Sequence, residues 1–196
     1  MTARADAAQE TRSALLEAGL AMAEQHGLAG MSVNRVVAAA GVAKGTFYVH
    51  FPDRAAFLTA LHKRFHDMVR EAIAAAVGDL PPGRAHLQRG METYLDFCLR
   101  YQGVKALLLE WRNDSGVGMD VAARTAEFAA VAEPDVRAMG WPDAAATARL
   151  VIAMSSELAL GEELTGMPDA DGRKALWRML DRLDLAQGKQ TDGPLI

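Results

Sequence analysis

Apolar residues recur at helical spacing along most of the chain, and Gly and Pro cut that pattern into separate helices. The first is predicted from about Glu10 to His26, stopping at Gly27, with Leu15, Ala18, Met22 and Ala23 as its stripe. Residues 1–9 are read as a loose arm. Arg4 in it could reach a minor groove, although a disordered terminus is the plainer reading. From Met31 to Arg54 the spacing tightens into a helix from Val33 to Ala40, a turn at Gly41 and a second helix from Lys44 to His50. Ser32 can cap the first of these, and Gly41 supplies the positive φ of a sharp turn. Val36, Val37, Ala40, Val42, Phe47 and Phe51 let both helices share one small core, with Ala38, Ala39, Ala40 and Gly41 permitting close approach. Two short helices joined by a glycine turn form a helix-turn-helix, whose second helix enters the DNA major groove.

Beyond it, Pro52 breaks the chain and Asp53 restarts it as the cap of a helix to about Val77, with Phe57, Leu61, Phe65, Met68 and Ala72 as the stripe. DLPPGR at 79–84 is a loop. Further helices are predicted at 85–101, briefly at 103–111, and from Met119 past Phe128, where Pro134 should kink or interrupt the run. Pro142 and Asp143 open another to about Leu164, and Pro168 and Asp169 a last one with Leu176, Met179, Leu180 and Leu183 in its stripe. Residues from Gln187 read as a disordered tail. The expectation is an all-α fold of about nine helices.

Composition changes this picture little. The chain has 196 residues, half of them hydrophobic, enough for real cores. Its one cysteine, Cys98, cannot form an internal disulfide, and no signal peptide or run of about 18 apolar residues is evident, so a cytoplasmic protein without a membrane span is expected. The net charge of −4 looks wrong for a DNA binder until it is divided. Residues 1–65 hold seven Lys or Arg (4, 12, 35, 44, 54, 63, 64) against five Asp or Glu (6, 10, 17, 24, 53). The acidic surplus therefore lies in the remainder.

AGVAKGTFYVHFPDR resembles the signature of the TetR-like one-component transcriptional regulators, through Gly41, Val42, Lys44, Gly45, Tyr48, His50, Phe51 and Arg54. The resemblance implies a homodimer, with a helix-turn-helix DNA-binding domain at 1–52 and a helical ligand-binding and dimerisation domain at 53–196. Two positions depart from the pattern. Ala43 stands where a capping Ser or Thr is common, and Arg54 stands where Lys is usual, replacing a point donor by a planar fork.

Residue roles follow from resemblance and chemistry together. Ser32, Tyr48, His50 and Arg54 are expected to anchor phosphates, with Arg35 on the same outer face. Ala43, Lys44, Gly45 and Thr46 start the recognition helix nearest the bases; Lys44 could donate to guanine and the Thr46 methyl could meet thymine. Tyr48 could instead be mainly core, and His50 only a helix cap. For the dimer interface the candidates are Ala148, Ser155, Ala159, Leu176, Met179, Leu180 and Leu183, which would form a four-helix bundle with a second subunit or else merely complete the monomer core. Met91, Tyr94, Cys98, Tyr101, Trp111, Met119, Phe128 and Met154 could line an apolar effector pocket, or equally be packed core.

His62 and His66 stand four apart, a metal-compatible spacing, but no third ligand is evident and neither metal nor cofactor is expected. Glu162 and Glu163 are adjacent and read as solvent-facing, and no catalytic motif appears. The function expected is sequence-specific, DNA-binding transcriptional regulation: a repressor released from a palindromic operator by a small, largely apolar effector that shifts the 53–77 helix. The alternatives are a DNA-binding regulator without a ligand and, remotely, an enzyme.

Overall fold

The structure, a computed structural model, describes residues 3–102, 104 and 118–187, with the side chains of 3–4, 27–30, 118–122, 124 and 182–187 outside the description. Eight helices and no strand occur among the described residues: α1 Ala3–Gly30, α2 Val33–Ala39, α3 Lys44–His50, α4 Arg54–Val77, α5 Arg84–Arg100, α6 Gly118–Ala138, α7 Ala144–Thr165 and α8 Ala170–Gln187. The short helix expected at 103–111 falls almost wholly outside them, as do 188–196. The chain divides into two compact units. One is built on residues 3–71 with Tyr101, Gln102 and Val104; the other is built on Ala72–Arg100 and residues 118–187. The division lies within α4, whereas the functional boundary was expected at 52/53.

In the first unit, α1 corrects two expectations. It begins at Ala3, so the loose arm is helical, and it passes through Gly27 to Gly30. Four alanines among residues 3–8 favour the helix, and one interior Gly costs only about 1 kcal/mol. Leu15, Leu16, Leu20 and Ala23 are buried along one side of α1. The centre of the unit is Phe47, Phe51 and Phe57, with ring centroids 5.0–5.4 Å apart. Gly19 lets α1 come close to α4: a Cβ there would lie 2.6 Å from Phe57 Cζ. Asp53 caps α4 as predicted, its Oδ1 accepting from the Ala56 N–H at 2.7 Å.

The second unit has a core of Leu87, Met91, Ala129, Ala132, Val136, Ala144, Ala148, Val151, Leu176 and Leu180, drawn from α5, α6, α7 and α8. Pro134 does not interrupt α6, which is continuous to Ala138. Pro134 and Ala130, whose carbonyl loses its usual donor, both lie on the exposed side, where water can serve that carbonyl. Buried Asp135 fixes the start of α5, accepting from the Gly83 N–H at 2.9 Å and contacting His86 Nδ1 at 2.9 Å.

One sequence expectation fails in this unit. Glu162 does not face solvent. It is 1% exposed, it accepts from Arg173 at 2.6 and 2.8 Å and from the Asp169 N–H at 3.0 Å, and Arg173 also reaches Asp96 at 2.7 Å. Burial alone would raise the Glu162 pKa, but the Arg173 and Asp169 hydrogen bonds hold it below the usual carboxylate range. Of the residues expected either at a dimer interface or in the monomer core, Ala148, Ser155, Ala159, Leu176 and Leu180 are buried within the single chain. The small Ala148, Ser155 and Ala159 lie on the inner side of α7. Met179 alone of that set is exposed, and the Leu183 side chain lies outside the described residues.

Candidate nucleic-acid interface

α2 and α3 are short because their ends are fixed by local chemistry. Ser32 caps α2 through Oγ, which accepts from the Arg35 N–H at 3.3 Å. At the other end Gly41 takes φ +68°, and its N–H and that of Val42 close the turn on Ala38 and Val37. A Cβ at Gly41 would meet nothing within 4 Å, so the demand for glycine there comes from the backbone and not from space. α3 has Ala43 as its N-cap with no side-chain hydrogen bond, as expected from the departure at that position.

The helix divides sharply into two sides. Phe47 and Phe51 are fully buried, while Ala43, Lys44, Gly45, Tyr48 and Val49 are exposed. Tyr48 keeps half of its surface in solvent, with its ring edge-on to Phe47 at 5.4 Å, so it serves core and surface together. Thr46 and His50 are half-buried at the flanks of that face, His50 against Phe51 at 6.4 Å. Ser32, Arg35 and Arg54 are exposed nearby, and Arg54 lines a shallow crevice with Met31, Ser32, Val33, Val36, Phe47 and Phe57. Every candidate DNA residue thus keeps at least part of its surface accessible.

Charge on this unit is spent unevenly. Lys63 pairs with Asp67 and Arg64 with Glu17 and Glu71, whereas Lys44 and Arg54 have no ion pair among the described residues. Arg12 lies over the Phe51 ring at 5.1 Å and braces the end of α3 from α1. Sequence reasoning missed Arg12 and Val49. The first needs the α1 packing to be seen, while the second was marked by its place two residues from each buried Phe.

The presumed effector residues are not assembled so clearly. Met91 and Cys98 are buried, Met91 within the core cluster, and half-buried Met154 packs against that cluster. Tyr94 stands 6.5 Å from Phe128, and burial, together with neighbouring Cys98, pushes its phenol well above the ordinary range. Tyr101 belongs to the other unit. Trp111 and the Met119 side chain lie outside the described residues. His62 and His66 approach at 3.1 Å through Nε2, with no three-ligand metal cluster among the described residues.

Comparison with known proteins places this geometry. Residues 15–61 match the family described as bacterial regulatory proteins, tetR family. The HTH-type transcriptional repressor LfrR of Mycolicibacterium smegmatis is 34% identical over 90 residues, which is 46% of this chain and 47% of LfrR. The HTH-type transcriptional regulator CymR of Pseudomonas putida is 29% identical over 96 residues, 49% of this chain and 47% of CymR. In these alignments the chain spans about half the length of the curated relatives it matches. A TetR-family transcriptional regulator from Rhodococcus sp. shares the fold with a TM-score of 0.64 at 25% identity, over 89% of this chain and 99% of that one. LfrR, solved in complex with proflavine, shares it at 0.58 and 20% identity, over 89% and 96%. The chain thus resembles the tetR family over residues 15–61 of its sequence and a TetR-family regulator in its all-helical fold.

Proposed function

We propose that the protein is a transcriptional repressor that binds double-stranded DNA as a homodimer through α3 and is released by a small, largely apolar effector. The observation that carries the DNA part is the two-sided α3: Phe47 and Phe51 hold it to the core while Lys44, Tyr48 and nearby Arg54 present donors outward. In this reading Ser32, Arg35, Tyr48, His50 and Arg54 hold phosphates, and Ala43, Lys44, Gly45 and Thr46 lie nearest the bases. Fluorescence anisotropy with duplexes from the gene's own upstream region tests it. Affinity should fall with salt, and Arg54→Ala should lower the steepness of that salt dependence by about one counterion per protomer. A salt-independent interaction would count against phosphate anchoring.

The dimer face in this proposal is the outer stripe of α7. Leu150, Ala153, Glu157, Gly161 and Leu164 share one exposed side, with Leu150 65% and Leu164 81% exposed, and exposed Met167 follows just beyond the helix. α7 is, among the described residues, the one helix long and apolar enough to cross a membrane, at a mean hydropathy of 1.2 over a window 28% buried. A second copy covering this stripe explains an apolar helix so little covered by its own chain, and it leaves the protein cytoplasmic with no membrane partner. Two recognition helices related by a two-fold axis would then read a palindromic operator.

For the effector, the LfrR structure carries proflavine, and here the Tyr94 and Phe128 rings lie 6.5 Å apart, tilted by 50°. The continuous α4 would pass an effector's influence to the DNA unit only if the effector binds one dimer spacing better than the other. The burial of Met91 and Cys98 favours the second reading, a DNA-binding regulator without a small ligand. Titrating candidate apolar compounds into the protein–DNA complex separates the two. No catalytic role is proposed, since Glu162 is committed to Arg173 and the named relatives are regulators.

A further inference from the structure

Val49 is the most exposed large apolar residue of α3, and the fold offers no use for it. It is 80% exposed, a β-branched apolar side chain on a seven-residue helix where it adds nothing to the core. Val is a poorer helix former than Ala, Leu, Lys or Glu, so an exposed site gains nothing locally by having it. Its direction follows from the buried residues around it. At about 100° per residue, Val49 stands two residues after Phe47 and two before Phe51, so it points away from both. Only Gly45, one turn earlier, shares that outermost line, and it carries no side chain. The half-buried Thr46 lies further round the helix.

We propose that Val49 is a specificity-determining residue that reads a thymine C5-methyl group in the major groove, an assignment that rests on the DNA-binding function proposed above. Lys44 and Tyr48 lie together on one side of that line as polar donors, and Val49 is the one apolar group on it. An apolar side chain has a single distinctive partner on the floor of the major groove, the thymine methyl, because every other base-edge group there is a hydrogen-bond donor or acceptor. Gly45 removes the only side chain that would hold the helix away from the base edges on that line.

The test begins with the full chain and a random duplex pool, from which the preferred sequence is selected. Each thymine of the selected site is then replaced singly by deoxyuridine, which deletes the methyl and keeps the pairing. One position per half-site should weaken binding about fourfold for the loss of one methyl contact. Val49→Ala should be insensitive at that same position, should accept other bases there on reselection, and should keep its helical circular dichroism. A selected site tolerant of deoxyuridine throughout, or a methyl sensitivity that survives in Val49→Ala, overturns the assignment while DNA binding stands. A chain that enriches no sequence overturns both.

Discussion

Gly19 and Gly45 both lie inside helices, and replacing either by Ala removes backbone freedom from the unfolded chain, which by itself stabilises by up to about 1 kcal/mol. Their surroundings reverse the outcome. A Cβ on Gly45 meets nothing within 4 Å, so Gly45→Ala is expected to raise stability. A Cβ on Gly19 would sit 2.6 Å from Phe57 Cζ and 3.0 Å from Leu61 Cδ1, and Phe57 is locked edge-on against Phe51. Overpacking of that kind costs about 1–3 kcal/mol, which outweighs the propensity gain. Urea midpoints of the two variants should therefore move in opposite directions; a shift of the same sign in both would contradict the close α1–α4 packing. The sequence offered Gly41 as a turn because its neighbours were helical on both sides. It could not flag Gly19, since close approach depends on a residue 38 positions away.

At the scale of elements, the network on Glu162 ties α7 to α8 and, through Arg173 and Asp96, to α5. Replacing Glu162 by Gln removes the buried charge of this network and leaves the half-buried Arg173 guanidinium with exposed Asp96 as its one charge partner, so the cost should approach the low end of the about 3–5 kcal/mol of a broken buried pair. Because the folded state holds the Glu162 carboxyl below its ordinary value of 4.5, its contribution is complete above that pH and is lost as pH falls through the lower, folded value. Denaturant melts at pH 7 and pH 3 should show the wild type losing stability on acidification and Glu162→Gln losing less. Equal acid sensitivity of the two would remove Glu162 from the acid response. Nothing in the adjacent pair Glu162–Glu163 signalled this, because burying a carboxylate depends on Arg173, eleven residues later and on another helix. The helix-turn-helix was legible for the opposite reason: its cap, its turn glycine and its buried phenylalanines all lie within a few residues of one another, where spacing alone decides the geometry.

For the whole molecule, the same contrast governs the proposed dimer. Helix α7 is apolar on two sides, and periodicity alone could not say which side met its own subunit. The small residues Ala148, Ser155 and Ala159 went to the inner side, leaving Leu150 and Leu164 outside. Leu164→Glu is therefore expected to shift sedimentation equilibrium toward monomer and weaken operator binding while helical content is kept. A dimer of unchanged strength would move the interface elsewhere. Ala148→Glu, by contrast, should unfold the second unit, because it buries an unpaired charge in the core.

In the proposed function the exposed side of α3 is what meets DNA. Titration of labelled operator duplex with wild-type chain, Lys44→Ala and Tyr48→Ala, at matched dimer concentration and low salt, tests it most directly. Lys44→Ala should keep the wild-type melting temperature and Tyr48→Ala should lower it modestly through the lost contact with Phe47, both keeping the wild-type sedimentation while binding about tenfold or more weakly. Wild-type affinity in both, with the fold intact, would contradict it.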